Sequence, residues 1–148
     1  MGDEPLSLRQ ADDSTLPYIE TLLAKNDLPS QDVRSKPECF YVGYDGDDRI
    51  GIGGLEMDGT DALLRSVVVE RSARENGLGT ALCEALEDTA KADGVETLYL
   101  LTTTAAEFFG DRGYTEIDRT AVPPAIQRTT EFDDLCPSTA TCLQKRLE

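Results

Sequence analysis

The apolar strand-like run that closes at Val67-Val68-Val69 is followed by a glycine-bearing turn, Arg74-Glu75-Asn76-Gly77-Leu78-Gly79-Thr80, and then by a strongly amphipathic segment. A strand running into a helix at this point aims several backbone N–H groups and the positive helix end at one spot, which suits an anion. Gly77 and Gly79 allow close backbone approach, so a phosphate or pyrophosphate is the expected guest; an ordinary strand-to-helix turn would show the same two glycines. The spacing is neither G-x-G-x-x-G nor the G-x-x-x-x-G-K-[ST] phosphate loop. Arg65 shares a strand face with Val67, because side chains alternate with period two. Its guanidinium suits either a bidentate grip on a substrate carboxylate or phosphinate, or an ion pair with one of the many acids. Histidine is absent, which removes Ser-His and Cys-His nucleophile pairs. Cys39, Cys83, Cys136 and Cys142 form no C-x-x-C pair, so free thiols are expected and no metal site. Cys136 and Cys142 flank a return that would bring two soft ligands together for a metalloid, although small buried hydrophobes account for them equally.

The elements that must position these groups follow from periodicity. Leu6 and Leu8 alternate as in a short strand, and Asp12-Asp13-Ser14 before Pro17 opens a helix whose apolar face is Leu16, Ile19, Leu22 and Leu23. Ser30 to Glu38 reads as a loop or short helix. Period two returns from Cys39 to Tyr44 and from Ile50 to Leu55 around the turn Asp45-Gly46-Asp47-Asp48, a β-hairpin. Ala62 to Val69 reads as a central strand buried on both faces. The clearest helix carries Leu78, Ala81, Leu82, Ala85, Leu86, Thr89 and Ala90 at spacings of three and four, and Gly94 stops it. Leu98 to Leu101 then completes a βαβ unit with a parallel pair. Ala105 to Arg112 is a short helix, Tyr114 to Ile117 and Ala140 to Leu143 are strands, and the stretch bearing Pro123-Pro124 is a loop.

The chain has 148 residues, 39% apolar, which corresponds to one domain, residues 1–148, with one core. Twenty-nine acids against fourteen basic residues give a formal charge of -15, a field that repels nucleic-acid backbones and anionic membranes. No apolar run spans a bilayer and Met1-Gly2-Asp3-Glu4-Pro5 lacks signal-peptide features, so a cytoplasmic protein is expected. The acids are spread along the chain beside ten Arg and only four Lys. Such a surface resembles that of proteins from salt-loving microbes, where screening relieves self-repulsion.

The turn Arg74 to Gly79 resembles the Q/R-x-x-G-x-G/A pyrophosphate loop of the GCN5-related N-acetyltransferase (GNAT) superfamily, which binds acetyl coenzyme A. Leu98 to Leu101, with Thr102, Ala105, Phe108, Phe109, Gly113 and Tyr114, resembles its second coenzyme-binding segment. The likeness spans residues 6 to 147 and matches motifs closely over 62 to 118. It implies an α+β fold with a mixed, mostly antiparallel sheet of about six to seven strands, helices on both faces and a splayed parallel pair around the coenzyme strand. It also implies acetyl-CoA as cosubstrate without a metal, and transfer of the acetyl group to the primary amine of a small molecule by a monomer or homodimer. A coenzyme-binding sensor of the same fold is the alternative. Leu64-Arg65-Ser66, Leu100 to Ala105, Phe108-Phe109, Glu131-Phe132 and Leu135 to Ser138 look like the arsenic-resistance-associated branch, similar to phosphinothricin acetyltransferases. That branch implies an amino-acid-like acceptor.

By the same resemblance, Glu56 at the end of the hairpin strand would take the proton of the attacking amine, unless it is a solvated turn residue near Asp58 and Asp61. A backbone N–H near Val67 would receive the oxyanion. Thr102, Ala105, Phe108 and Phe109 would line the coenzyme; beside Arg65, Arg128 in the loop after Pro123-Pro124 is a second candidate for the acceptor, unless it is an ordinary surface charge. Three positions depart from the pattern: Arg71 replaces a frequent proline, Thr102 an asparagine, and Phe109 the tyrosine that protonates the departing thiolate. A thiol of pKa about 8.5 leaves tolerably as its anion, so the reaction does not require that acid.

Overall fold

The computed structural model describes residues 6–26, 30, 33–70, 77–102, 105–127 and 140–147. Its strands are β1 (Ser7–Gln10), β2 (Phe40–Asp45), β3 (Asp48–Asp58), β4 (Asp61–Val69), β5 (Thr97–Thr102), β6 (Thr115–Glu116) and β7 (Thr141–Arg146). The helices are α1 (Leu16–Lys25), α2 (Leu78–Ala92), α3 (Ala106–Gly110) and α4 (Pro124–Gln127), with 3-10 turns at Val33–Ser35, Pro37–Cys39 and Arg119–Ala121. Hydrogen-bonded strands follow the order β1-β2-β3-β4-β5-β7-β6. β4 and β5 are parallel, as the βαβ reading requires. The pairs β1–β2, β2–β3, β5–β7 and β6–β7 are antiparallel. The chain forms two compact units, one of residues up to Leu55 with Ser66–Asp88, the other of Glu56–Arg65 with the chain from Thr89 onward.

In the first unit, α1 buries Leu16, Ile19, Leu22 and Leu23 against Phe40, Val42, Ile52 and Val68. Asp12 organises the approach: its Oδ1 accepts from the N–H of Ser14, the hydroxyl of Ser14 and the N–H of Thr15. The other end closes where Asn26 Nδ2 donates to Leu22 O at 2.9 Å. Register decides which helix meets which face. Val42 pairs Ile52 and Gly43 pairs Gly51, so alternation sends the branched side chains toward α1 and leaves the glycines on the opposite face. That bare face receives α2, since a Cβ at Gly43 would stand 2.9 Å from a Leu82 methyl and one at Gly53 2.5 Å from a Leu86 methyl. Helices therefore cover both faces of this hairpin.

In the second unit, β5 lies between β4, with Asp61–Leu63 opposite Thr97–Tyr99, and β7, with Thr97–Thr102 opposite Thr141–Arg146. Leu63, Tyr99, Val122, Ile126 and Cys142 cluster there. Helix α2 stops at Gly94, whose φ of 90° is left-handed, while Val95 N–H returns to Ala90 O. The expected Tyr114–Ile117 strand contracts to the two residues of β6 because Tyr114 is drawn into the core behind α3. The proline stretch read as a loop contains α4, with Pro124 at its first position, where a missing N–H costs nothing. Four residues are too few to display a helical period.

Candidate functional site

The residues singled out in the sequence fall into two groups, one in each unit. In the first unit the end of β4 and the start of α2 hold the predicted anion-binding backbone. Val68 is buried, and Val67 and Val69 are half-buried. Ser66 just before them is buried and has φ 59°, a left-handed conformation that non-glycine residues adopt rarely. Gly77 has φ 74°, and a Cβ there would meet no atom within 4 Å. Its glycine thus serves the turn's conformation rather than a close packing contact. Gly77 O accepts from Ala81 N–H at 3.2 Å and so opens α2; Leu78, Gly79 and Thr80 form the first turn, half-buried. The residues present fit a pyrophosphate: the N-terminus of a fifteen-residue helix is entered through an exposed glycine. Arg74, Glu75 and Asn76 lie outside the described residues.

The second unit holds Glu56, Arg65 and the aromatic segment. Arg65 Nη1 donates to Glu56 Oε2 at 2.9 Å, with the arginine side chain fully buried and the glutamate 11% exposed. Of the two readings open for Arg65, the described geometry contains the ion pair, and its acid is the residue read independently as the proton acceptor. Thr102 Oγ1 accepts from Ala105 N–H at 2.9 Å and so shapes the entry to α3. Phe109 is buried edge-on between Phe108, at 5.2 Å, and Tyr114, at 5.4 Å. Arg112 lies over Phe108 at 4.6 Å, and Lys145 Nζ caps the carbonyl of Arg112 at 2.8 Å while standing 5.5 Å from the Tyr114 ring. Phe109 is therefore a packing residue in a T-shaped stack, and no hydroxyl on its ring occupies that place. Burial raises the Cys142 thiol above its ordinary range, with Arg119 opposing in part, so this sulfur is held as a neutral thiol. Arg128 and Cys136 lie outside the described residues. No cluster of three or more metal-ligating side chains occurs among the described residues, and no helix there is long and apolar enough to cross a membrane.

Sequence reasoning named Ser66 only as part of the Leu64-Arg65-Ser66 resemblance and gave it no backbone role. A polar pair, Arg65-Ser66, inside an otherwise apolar central strand was the available signal.

The profile of the acetyltransferase (GNAT) family matches residues 6–114. Amino-acid acetyltransferases of Pseudomonas syringae are 36% identical over 64 residues, which is 42% of this chain and 15% of theirs; the chain thus spans a small part of those relatives. N-acetylglutamate synthase from Neisseria gonorrhoeae, solved with coenzyme A and N-acetyl-glutamate, superposes with a TM-score of 0.82 at 20% identity, over 99% of this chain and 36% of that one. Rv2747 from Mycobacterium tuberculosis, solved with CoA, gives a TM-score of 0.78 at 22% identity over 96% and 99% of the two chains.

Proposed function

The chain belongs to the acetyltransferase (GNAT) family, and from that premise we propose that it moves the acetyl group of acetyl-CoA to the primary amine of a small, amino-acid-like molecule. The observation that carries the proposal is the conjunction, inside the matched stretch, of the Ser66–Val69 strand end with the Gly77 turn and α2. Gly77, Leu78, Gly79 and Thr80, with Arg74, Glu75 and Asn76 before them, hold the pyrophosphate through backbone N–H groups and the helix dipole. Val67, Val68 and Val69 pair with the amide-bearing arm, and Thr102, Ala105, Phe108 and Phe109 complete the coenzyme's surroundings.

Glu56 takes a proton from the ammonium of the acceptor, directly or through water, so that the neutral amine attacks the thioester carbon. The Val67 N–H receives the oxyanion. The C–S bond breaks, the amide nitrogen gives up its second proton to water, and the thiol leaves as its anion, since the Phe109 ring has no proton to give. Arg65 acts through Glu56: buried against it, the guanidinium holds the carboxylate in place for that proton transfer. Arg128 remains the candidate for the acceptor's own anionic group. All 148 residues act as one catalytic domain, in the cytoplasm, as monomer or homodimer, with no metal, nucleic acid or membrane partner. The acceptor chemistry is that of the arsenic-resistance-associated branch, and the acidic surface is adapted to salt. Neighbours solved with amino-acid ligands support the acceptor class. Phe109 favours one competing reading, a sensor that binds the coenzyme without turning it over. Thiol release from acetyl-CoA across a panel of amino acids, their phosphinate and arsenical analogues, and polyamines, run at several salt concentrations, decides between them. Transfer to an amino-acid-like amine is expected; CoA binding without any acetylated product establishes the sensor.

A further inference from the structure

The proposed coenzyme contacts of Val67–Val69 require a fixed strand end, and the residues that fix it belong to none of the groups above. Glu70 follows Val69 directly. Its backbone N–H donates to Ile50 O at 2.7 Å, and its side-chain Oε2 accepts from the Tyr18 hydroxyl at 2.8 Å. Tyr18 lies on α1 with its ring packed beside the cluster that contains Val68, and the Arg49 guanidinium stands over the same ring at 4.9 Å. Arg49 is paired in register with Tyr44 of β2, whose ring carries Arg9 of β1 at 4.8 Å. Arg49, Tyr18 and Glu70 therefore link β3, α1 and the end of β4 through their side chains, beside the Arg9–Tyr44 contact that joins β1 to β2. The phenol is a permanent donor in this arrangement. Burial first, and then the hydrogen bond and charge of Glu70, push its pKa far above the ordinary value, with Arg49 opposing weakly.

We infer that Tyr18 is a positioning residue for coenzyme binding, holding the Val67–Val69 backbone in place through Glu70. The inference rests on the coenzyme reading given above. A hydrogen bond to a carboxylate on the residue next to the binding backbone restricts where that backbone can move, whereas the apolar contact of Val68 with α1 resists only separation. Coenzyme affinity should then depend on the hydroxyl, not on the ring.

The test is isothermal titration of CoA into the full chain and into Tyr18→Phe, Glu70→Ala, Glu70→Gln and the Tyr18→Phe/Glu70→Ala pair, with a melting temperature for each. Tyr18→Phe keeps the ring beneath Arg49 and removes only the hydroxyl. It is expected to weaken CoA binding about threefold to tenfold, the worth of one hydrogen bond. Glu70→Ala should do the same without adding to it in the double variant. Glu70→Gln still accepts through Oε1 and should stay within about twofold. An unchanged CoA dissociation constant in Tyr18→Phe overturns the inference, and a lowered melting temperature beside it assigns the contact to stability alone. Absence of CoA binding by the unaltered chain would overturn the coenzyme reading itself and this inference with it.

Discussion

Gly51 lies where the sheet meets the proposed coenzyme strand, and replacing it by alanine gives a calculable perturbation. A Cβ at this position falls on the carbonyl oxygen of Val68 and stands 3.1 Å from both the Val69 Cα and a Leu82 methyl. Carbon–oxygen contacts between neighbouring strands settle near about 3.3–3.6 Å, so relief requires the end of β4 to move by roughly one ångström. A side chain could rotate aside. A backbone carbonyl cannot. Overpacking of this kind costs on the order of 1–3 kcal/mol, which for a chain of this size lowers the melting temperature by roughly 3–10 °C. Because the displaced atoms belong to Val68 and Val69, CoA affinity should fall as well. Gly53→Ala is the internal comparison: its Cβ meets only the flexible end of Leu86, at 2.5 Å, so its cost should be smaller and CoA affinity nearly unaffected. Differential scanning fluorimetry and CoA titration on the two variants give the result. The reasoning is refuted if Gly51→Ala melts with the unaltered chain, or if Gly53→Ala impairs CoA binding more than Gly51→Ala does.

Removing one member of the buried Glu56–Arg65 pair takes an opposite charge away from the other, so Arg65→Met should cost up to about 3–5 kcal/mol and be partly rescued by adding Glu56→Gln; urea unfolding of the single and double variants measures this. In Asp61, desolvation first and then the charges of Asp58 and Glu96 raise the carboxyl above its usual range. A folded-state pKa above the unfolded value means that the ionised group costs stability at neutral pH, a cost that vanishes as pH falls through the folded pKa. Asp61→Asn should therefore melt higher than the unaltered chain at pH 7, with the difference shrinking toward pH 4 and also in molar KCl, where the Debye length is about 3 Å. A difference independent of both pH and salt would refute the cause assigned.

The fold was legible where the pattern was long. Helix α2 shows four turns of spacing at three and four, and β4 closes on the branched run Val67–Val69, so the βαβ unit followed from periodicity alone. The hairpin glycines at 43, 51 and 53 were visible as residues, yet their purpose, a bare face for Leu82 and Leu86, depends on register and on a helix distant in sequence. The left-handed backbone of Ser66 was hidden because extended-strand patterning carries no information about one such residue within it. Arg65 and Glu56 were each identified as candidates for chemistry, but charge patterning could not say that they were partners, since any of many acids could have met the guanidinium. The role of Phe109 as a packed ring was equally hidden: its identity showed that a proton donor is missing, not that Phe108 and Tyr114 enclose the place.

The central claim, that the strand end at Val67–Val69 and the first turn of α2 together receive acetyl-CoA, is tested most directly by following the backbone amide resonances while CoA is added. The account predicts that the largest shifts fall on Val67, Val68, Val69, Gly77, Leu78, Gly79 and Thr80, and that Gly77→Asp, which places a negative side chain where the phosphates must sit, abolishes them. Shifts confined to other residues, or saturable binding that survives Gly77→Asp, would contradict it.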